Sequence, residues 1–246
     1  MILENLRSVT TVFVVGAVIA TLFTAATPPA LQSTSFTEKI SAAINQELTP
    51  TAWPTATPRP RPVIGIIVGH TGKESQIQDP GAICPAALGN VHEAEVNQAI
   101  AAFVKQQMEA EGFDIDLLEE FDSRLPGYKA LALVSIHADS CEYQNPDATG
   151  FKISPSTKSP GDQTARLTAC IRRRYREATG LQEHPSITPG MRNYHVFSKI
   201  DPTTPAVILE VGFLNLDHEI LTKNPERIAQ GISNGLLCYV HNEGLQ

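Results

Sequence analysis

Along this chain, short runs of consecutive apolar residues alternate with longer stretches of helical periodicity. Val63-Ile64-Gly65-Ile66-Ile67-Val68 is apolar throughout and leads through Gly69 to His70, and Ala132-Leu133-Val134-Ser135-Ile136 leads in the same way to His137. Runs of this length, rich in β-branched residues, are the pattern of strands buried on both faces. Pro205 to Val211 is a third such run, Phe113 to Leu118 alternates as a strand does, and Gly150-Phe151-Lys152-Ile153 is a shorter candidate. Between them, Val96, Ile100, Val104 and Met108 recur every four residues from Glu93 to Glu111, with Gly112 as a stop, and predict an amphipathic helix. Leu125 to Ala130 reads as a short helix. Thr164 to Thr179 reads as a helix with Arg172, Arg173, Arg174 and Arg176 outward, and Pro225 to Val240 as a last helix with proline near its first position. The alternation predicts an α/β fold: a single domain over residues 63–246, with a mostly parallel sheet flanked by helices on both faces.

Before residue 63 the pattern changes twice. Val9 to Ala26 carries no charge and is about as long as the shortest helix that spans a bilayer, roughly 17 residues. Residues 1–26 therefore read as a transmembrane anchor or a signal peptide, with Arg7 favouring a cytoplasmic amino terminus. No cysteine follows the apolar run to accept a lipid. Residues 27–62 are rich in threonine, alanine, serine and proline and end in Thr57-Pro58-Arg59-Pro60-Arg61-Pro62, the composition of an extended stalk. Within it Ser35 and Glu38 resemble a capping box ahead of Phe36, Ile40, Ile44 and Leu48, a pattern equally compatible with a transient turn. Either reading of residues 1–26 places the domain outside the cytoplasmic membrane, in the cell envelope, with the membrane as partner through the N-terminal segment. The net charge of -7 lacks the basic excess of a nucleic-acid-binding surface, and the domain is expected to be monomeric.

The chemistry follows from where the histidines fall. Side chains at the carboxyl ends of parallel strands face the crevice in which α/β proteins bind ligands, and His70 and His137 both sit there. Glu93 lies in the first turn of the helix between them, within His92-Glu93-Ala94-Glu95. Zinc takes imidazole and carboxylate donors, and a catalytic site uses three of them, so His70, Glu93 and His137 form a candidate set. Glu210 interrupts an otherwise apolar run. A carboxylate there is costly to desolvate unless it meets a cation or hydrogen-bond donors, and it reads either as a general base beside a metal or as the partner of a buried arginine such as Arg124 or Arg192.

Gly69-His70, Asp79-Pro80-Gly81-Ala82, Glu93-Ala94-Glu95-Val96-Asn97, Ser135-Ile136-His137-Ala138-Asp139 and Pro205 to Phe213, in this order, resemble the zinc-dependent N-acetylmuramoyl-L-alanine amidases. These are peptidoglycan hydrolases of the cell-division and spore amidase type. The resemblance implies a twisted six-stranded sheet, Zn2+ held by His70, Glu93 and His137, and Glu210 as the catalytic carboxylate. The implied reaction is hydrolysis of the amide between N-acetylmuramic acid and L-alanine of the stem peptide. The chain departs from the pattern at Val68, where the family often has aspartate, at Asp139, where asparagine is common, and at Asn215, one position earlier than usual. Gly72 to Gln78 also lengthen the first loop, so the rim of the cleft is expected to differ.

Two other readings stay open at this point. His92 and Glu95 fit the H-x-x-E pair of zinc carboxypeptidases, with His195 as a third ligand, and a domain of this shape could bind peptidoglycan without cleaving it. The four cysteines of an exported domain permit three complete pairings. Cys84 follows the His70 strand and Cys141 lies four residues past His137, so neighbouring strands would bring them together in a bridge. Cys170 and Cys238 sit mid-helix and read as packed free thiols, and four buried thiols is the alternative for the whole set.

Overall fold

The computed structural model describes residues 60–72 and 79–244. The apolar run at 9–26, the stalk through residue 59 and the helical pattern at 36–48 lie outside the described residues. Among those described, no helix is long and apolar enough to cross a membrane.

Five strands form one sheet in the order β2-β1-β3-β5-β4. β1 (Val63–Val68), β2 (Asp114–Glu119), β3 (Leu133–Asp139) and β5 (Ala206–Phe213) run parallel, and β4 (Lys152–Pro155) pairs antiparallel with β5 at the edge. The described residues thus hold five strands where the family resemblance implies six, and one isolated parallel bridge joins Phe151 to Glu183. Phe151 N donates to Gln182 O and His184 N to Phe151 O, and the next donor of such a ladder, Ser186 N, turns instead to His184 Nδ1 at 3.3 Å.

Three long helices, α1 (Glu93–Ala110), α2 (Gly161–Thr179) and α5 (Pro225–Val240), cover one face. Ile64, Ile66 and Val68 of β1, Val134 and Ile136 of β3, and Val207, Leu209 and Val211 of β5 pack there against Val96, Ile100, Val104, Leu167, Ile171, Ile232 and Leu236. Period-two alternation sends Ile67, Leu133, Ala206 and Ile208 to the other face. That face has a thinner cover: the short helix α3 (Pro189–Arg192), a 3₁₀ turn at His195–Ser198, and Leu125. α4 (His218–Lys223) is a short link before α5.

Leu125 to Ala130 does not form the helix expected of it. Gly127 adopts φ 71°, outside the helical region, and its N–H is taken by Lys199 O across the domain, so the segment folds as turns over the sheet. Two disulfides staple the domain. Cys84 is joined to Cys141, as the loop argument expected, with α-carbons 5.2 Å apart. Cys170 and Cys238 are joined as well, with α-carbons 5.7 Å apart, which corrects their reading as free thiols. Their spacing results from the close packing of α2 on α5, where Gly235 leaves no room for a β-carbon beside Ile171. The arginines of α2 are largely paired: Arg172 with Glu183, Arg173 with Glu177, and Arg174 with Glu177 and Glu243.

Candidate metal centre

β1 and β3 are neighbours, so His70, just past β1, and His137, near the end of β3, meet at the carboxyl edge of the sheet. His70 leaves β1 in the left-handed region, φ 58°, which few residues with a β-carbon adopt and which recurs at functional sites. His137 lies within β3, with its ring over Gly69; any β-carbon at 69 would stand 2.5 Å from that ring. Gly81 closes the third side in the same way, since a β-carbon there would fall 2.5 Å from Glu93 Oε2 and 2.8 Å from His70 Cδ2. Two glycines thus make the cradle in which the candidate ligands converge.

Glu93 opens α1 and is buried. Its Oε1 accepts from Ala138 N at 3.0 Å and Asn97 Nδ2 at 3.4 Å, and its Oε2 accepts from Ala82 N at 3.0 Å. Burial would raise its pKa, but the hydrogen bond from His137, the charges of both histidines and the Ala82 amide outweigh burial and hold it below the ordinary glutamate value. His70 Nε2 and His137 Nδ1 each stand 3.4 Å from Glu93 Oε1. Donors held about 2.0 to 2.1 Å from a tetrahedral zinc ion stand about 3.3 Å from one another, so this spacing fits such an ion. One donor atom from each of the three residues lies within 4.8 Å of the others, and no other group of three among the described residues does so. Beyond them, His70 Nδ1 meets Asp79 Oδ2 at 3.3 Å and His137 Nε2 meets Tyr194 Oη at 3.3 Å, the kind of outer partner that fixes a ligating imidazole.

The sequence's competing ligand set is not assembled. Glu95 turns back to the start of α1, accepting from His92 N at 3.5 Å, and is exposed. His195 bonds Glu120 instead.

Glu210 faces this cluster. In the β3–β5 register it lies opposite His137, and in the β5–β4 register opposite Lys152, which pairs with Asp139. The ladder slips between His137 and Asp139, so Asp139 aligns with Phe213. Glu210 is partly accessible, but its Oε2 is enclosed and has no hydrogen-bond partner. Burial, together with the nearby Glu93 and Asp139 charges and against those of His137 and Lys152, pushes its pKa up to about 7. Neither arginine suggested by the sequence neutralises it: Arg124 clamps Asp122 at 2.6 Å and Arg192 is exposed. A second carboxylate in the region, Glu120, takes the opposite course. Burial opposes its ionisation, yet the hydrogen bond to His195, the His137 charge and the His70 amide bring it down to about 2. Sequence reasoning missed Glu120, Tyr194 and Lys152; the only trace of the first was an acidic Glu119-Glu120 pair where an alternating strand ends.

The sequence profile of a family described as N-acetylmuramoyl-L-alanine amidase matches residues 64–238, from β1 to within α5 and including every residue of the cluster. The chain belongs to this family. Over 102 residues it is 34% identical to N-acetylmuramoyl-L-alanine amidase AmiC of Neisseria meningitidis serogroup B. That match covers 38% of this chain and 22% of the relative's length. Among solved amidase structures, CwlD of Clostridioides difficile, determined with the GerS lipoprotein, superposes with a TM-score of 0.58 at 21% identity, covering 74% of this chain and all of that one. AmiC2 of Nostoc punctiforme gives 0.52 at 20% identity, covering 73% and 97%. At these identities the likeness establishes the amidase fold.

Proposed function

We propose that this domain is a peptidoglycan amidase that hydrolyses the amide joining the lactyl group of N-acetylmuramic acid to L-alanine of the stem peptide. The observation that carries the reading is the 3.4 Å spacing of His70 and His137 nitrogens about Glu93 Oε1, with the unpartnered Glu210 carboxylate on the adjoining strand. His70, Glu93 and His137 would hold Zn2+, which when bound supplies a Lewis acid for the scissile carbonyl and brings water's ionisation toward neutrality.

Glu210 takes the proton from the attacking water and returns it to the leaving nitrogen of L-alanine. Its burial suits both halves of that exchange, because a carboxylate pushed toward neutral pH both accepts and releases a proton readily. Glu93 stays ionised, and its amide donors from Ala82 and Ala138 fix its oxygens between the two imidazoles. Asp79 and Tyr194 hold the far nitrogens of the histidines, so neither ring turns away.

Two disulfides support action in the oxidising cell envelope, and the apolar segment at 9–26 would deliver the domain there as a membrane anchor or signal peptide. The test is mass spectrometry of purified muropeptides incubated with the zinc-loaded protein. Release of intact stem peptides beginning with L-alanine is expected. Shortened stem peptides that stay on the sugar would instead mark a peptidase, and unchanged muropeptides a binding module.

A further inference from the structure

Glu120 is buried at the end of β2, the edge strand, which contributes no ligand to the metal cluster. A carboxylate there must find donors, and it finds the His70 backbone and the His195 ring. Its Oε2 accepts from His70 N at 2.8 Å, while its own N–H donates to Thr71 O at 3.1 Å, so β2 and the turn carrying His70 are tied reciprocally. Its Oε1 lies 3.2 Å from His195 Nε2 and 4.0 Å from His137 Nε2. His195 is fixed in turn, stacked on Phe121 at 4.9 Å and edge-on to Tyr194 at 4.9 Å.

We propose that Glu120 is a positioning residue of the metal centre, holding His70 by its backbone and placing a carboxylate charge beside the outer nitrogen of His137, which Tyr194 contacts. The inference rests on the metal reading of the preceding section. His70 is in the left-handed region, a conformation that is costly for a residue with a β-carbon and persists only where the surroundings enforce it. The Glu120–His70 hydrogen bond is the side-chain contact that captures that backbone. At His137, Nδ1 is turned to Glu93, so the other nitrogen must face an acceptor for the ring to keep this orientation. Tyr194 Oη and Glu120 Oε1 stand on that side. Glu120 is not a second base: both its oxygens are engaged, whereas Glu210 Oε2 is not.

The experiment measures zinc affinity by chelator competition, and the visible spectrum of the cobalt-substituted protein, for the full chain and for Glu120→Gln, Glu120→Ala and His195→Ala. Outer partners of ligating histidines are typically worth about 10- to 100-fold in metal affinity. Glu120→Ala is expected to bind zinc weaker by that factor, and Glu120→Gln, which keeps an oxygen for the His70 amide, by less. His195→Ala, which removes only the support of Oε1, should fall nearer the wild type. A cobalt spectrum altered in Glu120→Gln at saturation shows changed ligand geometry, which a merely structural role would not produce. Glu120→Gln preserves shape and decides the matter if the alanine variant does not fold. Wild-type affinity and spectrum in Glu120→Gln overturn the proposal. Because both readouts are of binding, a protein with Glu120-dependent affinity that releases no stem peptide would sink the amidase reading and leave this one standing.

Discussion

His137 and Glu210 lie opposite one another in the parallel register of β3 and β5, so a candidate ligand and the candidate base project from neighbouring strands on the same sheet face. Their separation is set by strand pairing, not by loop conformation.

His70→Ala, Glu93→Ala and His137→Ala should each lose zinc, because a catalytic site has three protein ligands and none to spare. Metal content after gel filtration checks this, and near-stoichiometric zinc in all three variants would remove the assignment.

Glu210→Ala should keep its metal and lose turnover by about two to four orders of magnitude, the usual contribution of general acid–base catalysis. Muropeptide cleavage rates beside metal analysis distinguish a lost base from a lost ligand.

The raised pKa of Glu210 also fixes a sign for stability in the metal-free protein. The folded state binds its proton more tightly, with a pKa of about 7 against an ordinary value of 4.5, so Glu210 costs stability as pH rises through this interval. Metal-free Glu210→Gln should therefore be more stable than the wild type at pH 8, by up to about 3 kcal/mol, and the difference should vanish below pH 4.5. Denaturant titrations of the pair at both pH values measure it; a gap that widens toward acid would contradict the burial argument.

Breaking either disulfide should destabilise the domain by about 2 to 4 kcal/mol, since each closes a long loop in the unfolded chain. Cys84→Ser should in addition weaken zinc binding, because its bridge flanks the cluster, whereas Cys170→Ser, between α2 and α5, should not. Melting curves and metal affinities separate the two effects.

The strands were legible because burial on both faces leaves continuous apolar runs, and α1 because its buried stripe repeats every four residues. His70, Glu93 and His137 could be picked out since strand ends and a helix start are places that sequence patterns mark. Leu125 to Ala130 misled because its apolar spacing is helical while its Gly127 amide answers to Lys199, a partner 72 residues away that no local pattern reveals. The Cys170–Cys238 bridge was hidden for the same reason: a helical pattern gives a buried face but not which helix it meets. Glu120 and Tyr194 stayed invisible because their meaning lies wholly in what they touch.

The Cys84–Cys141 bridge joins the loop that supplies Ala82 N to Glu93 with the end of β3 that supplies Ala138 N to the same carboxylate. Neither loop can open without drawing on the other, so local fluctuations at the cleft should be concerted. Amide hydrogen exchange at Ala82 and Ala138 should then proceed at matched rates through one shared opening event, and reduction of the bridge should split it into two independent, faster ones.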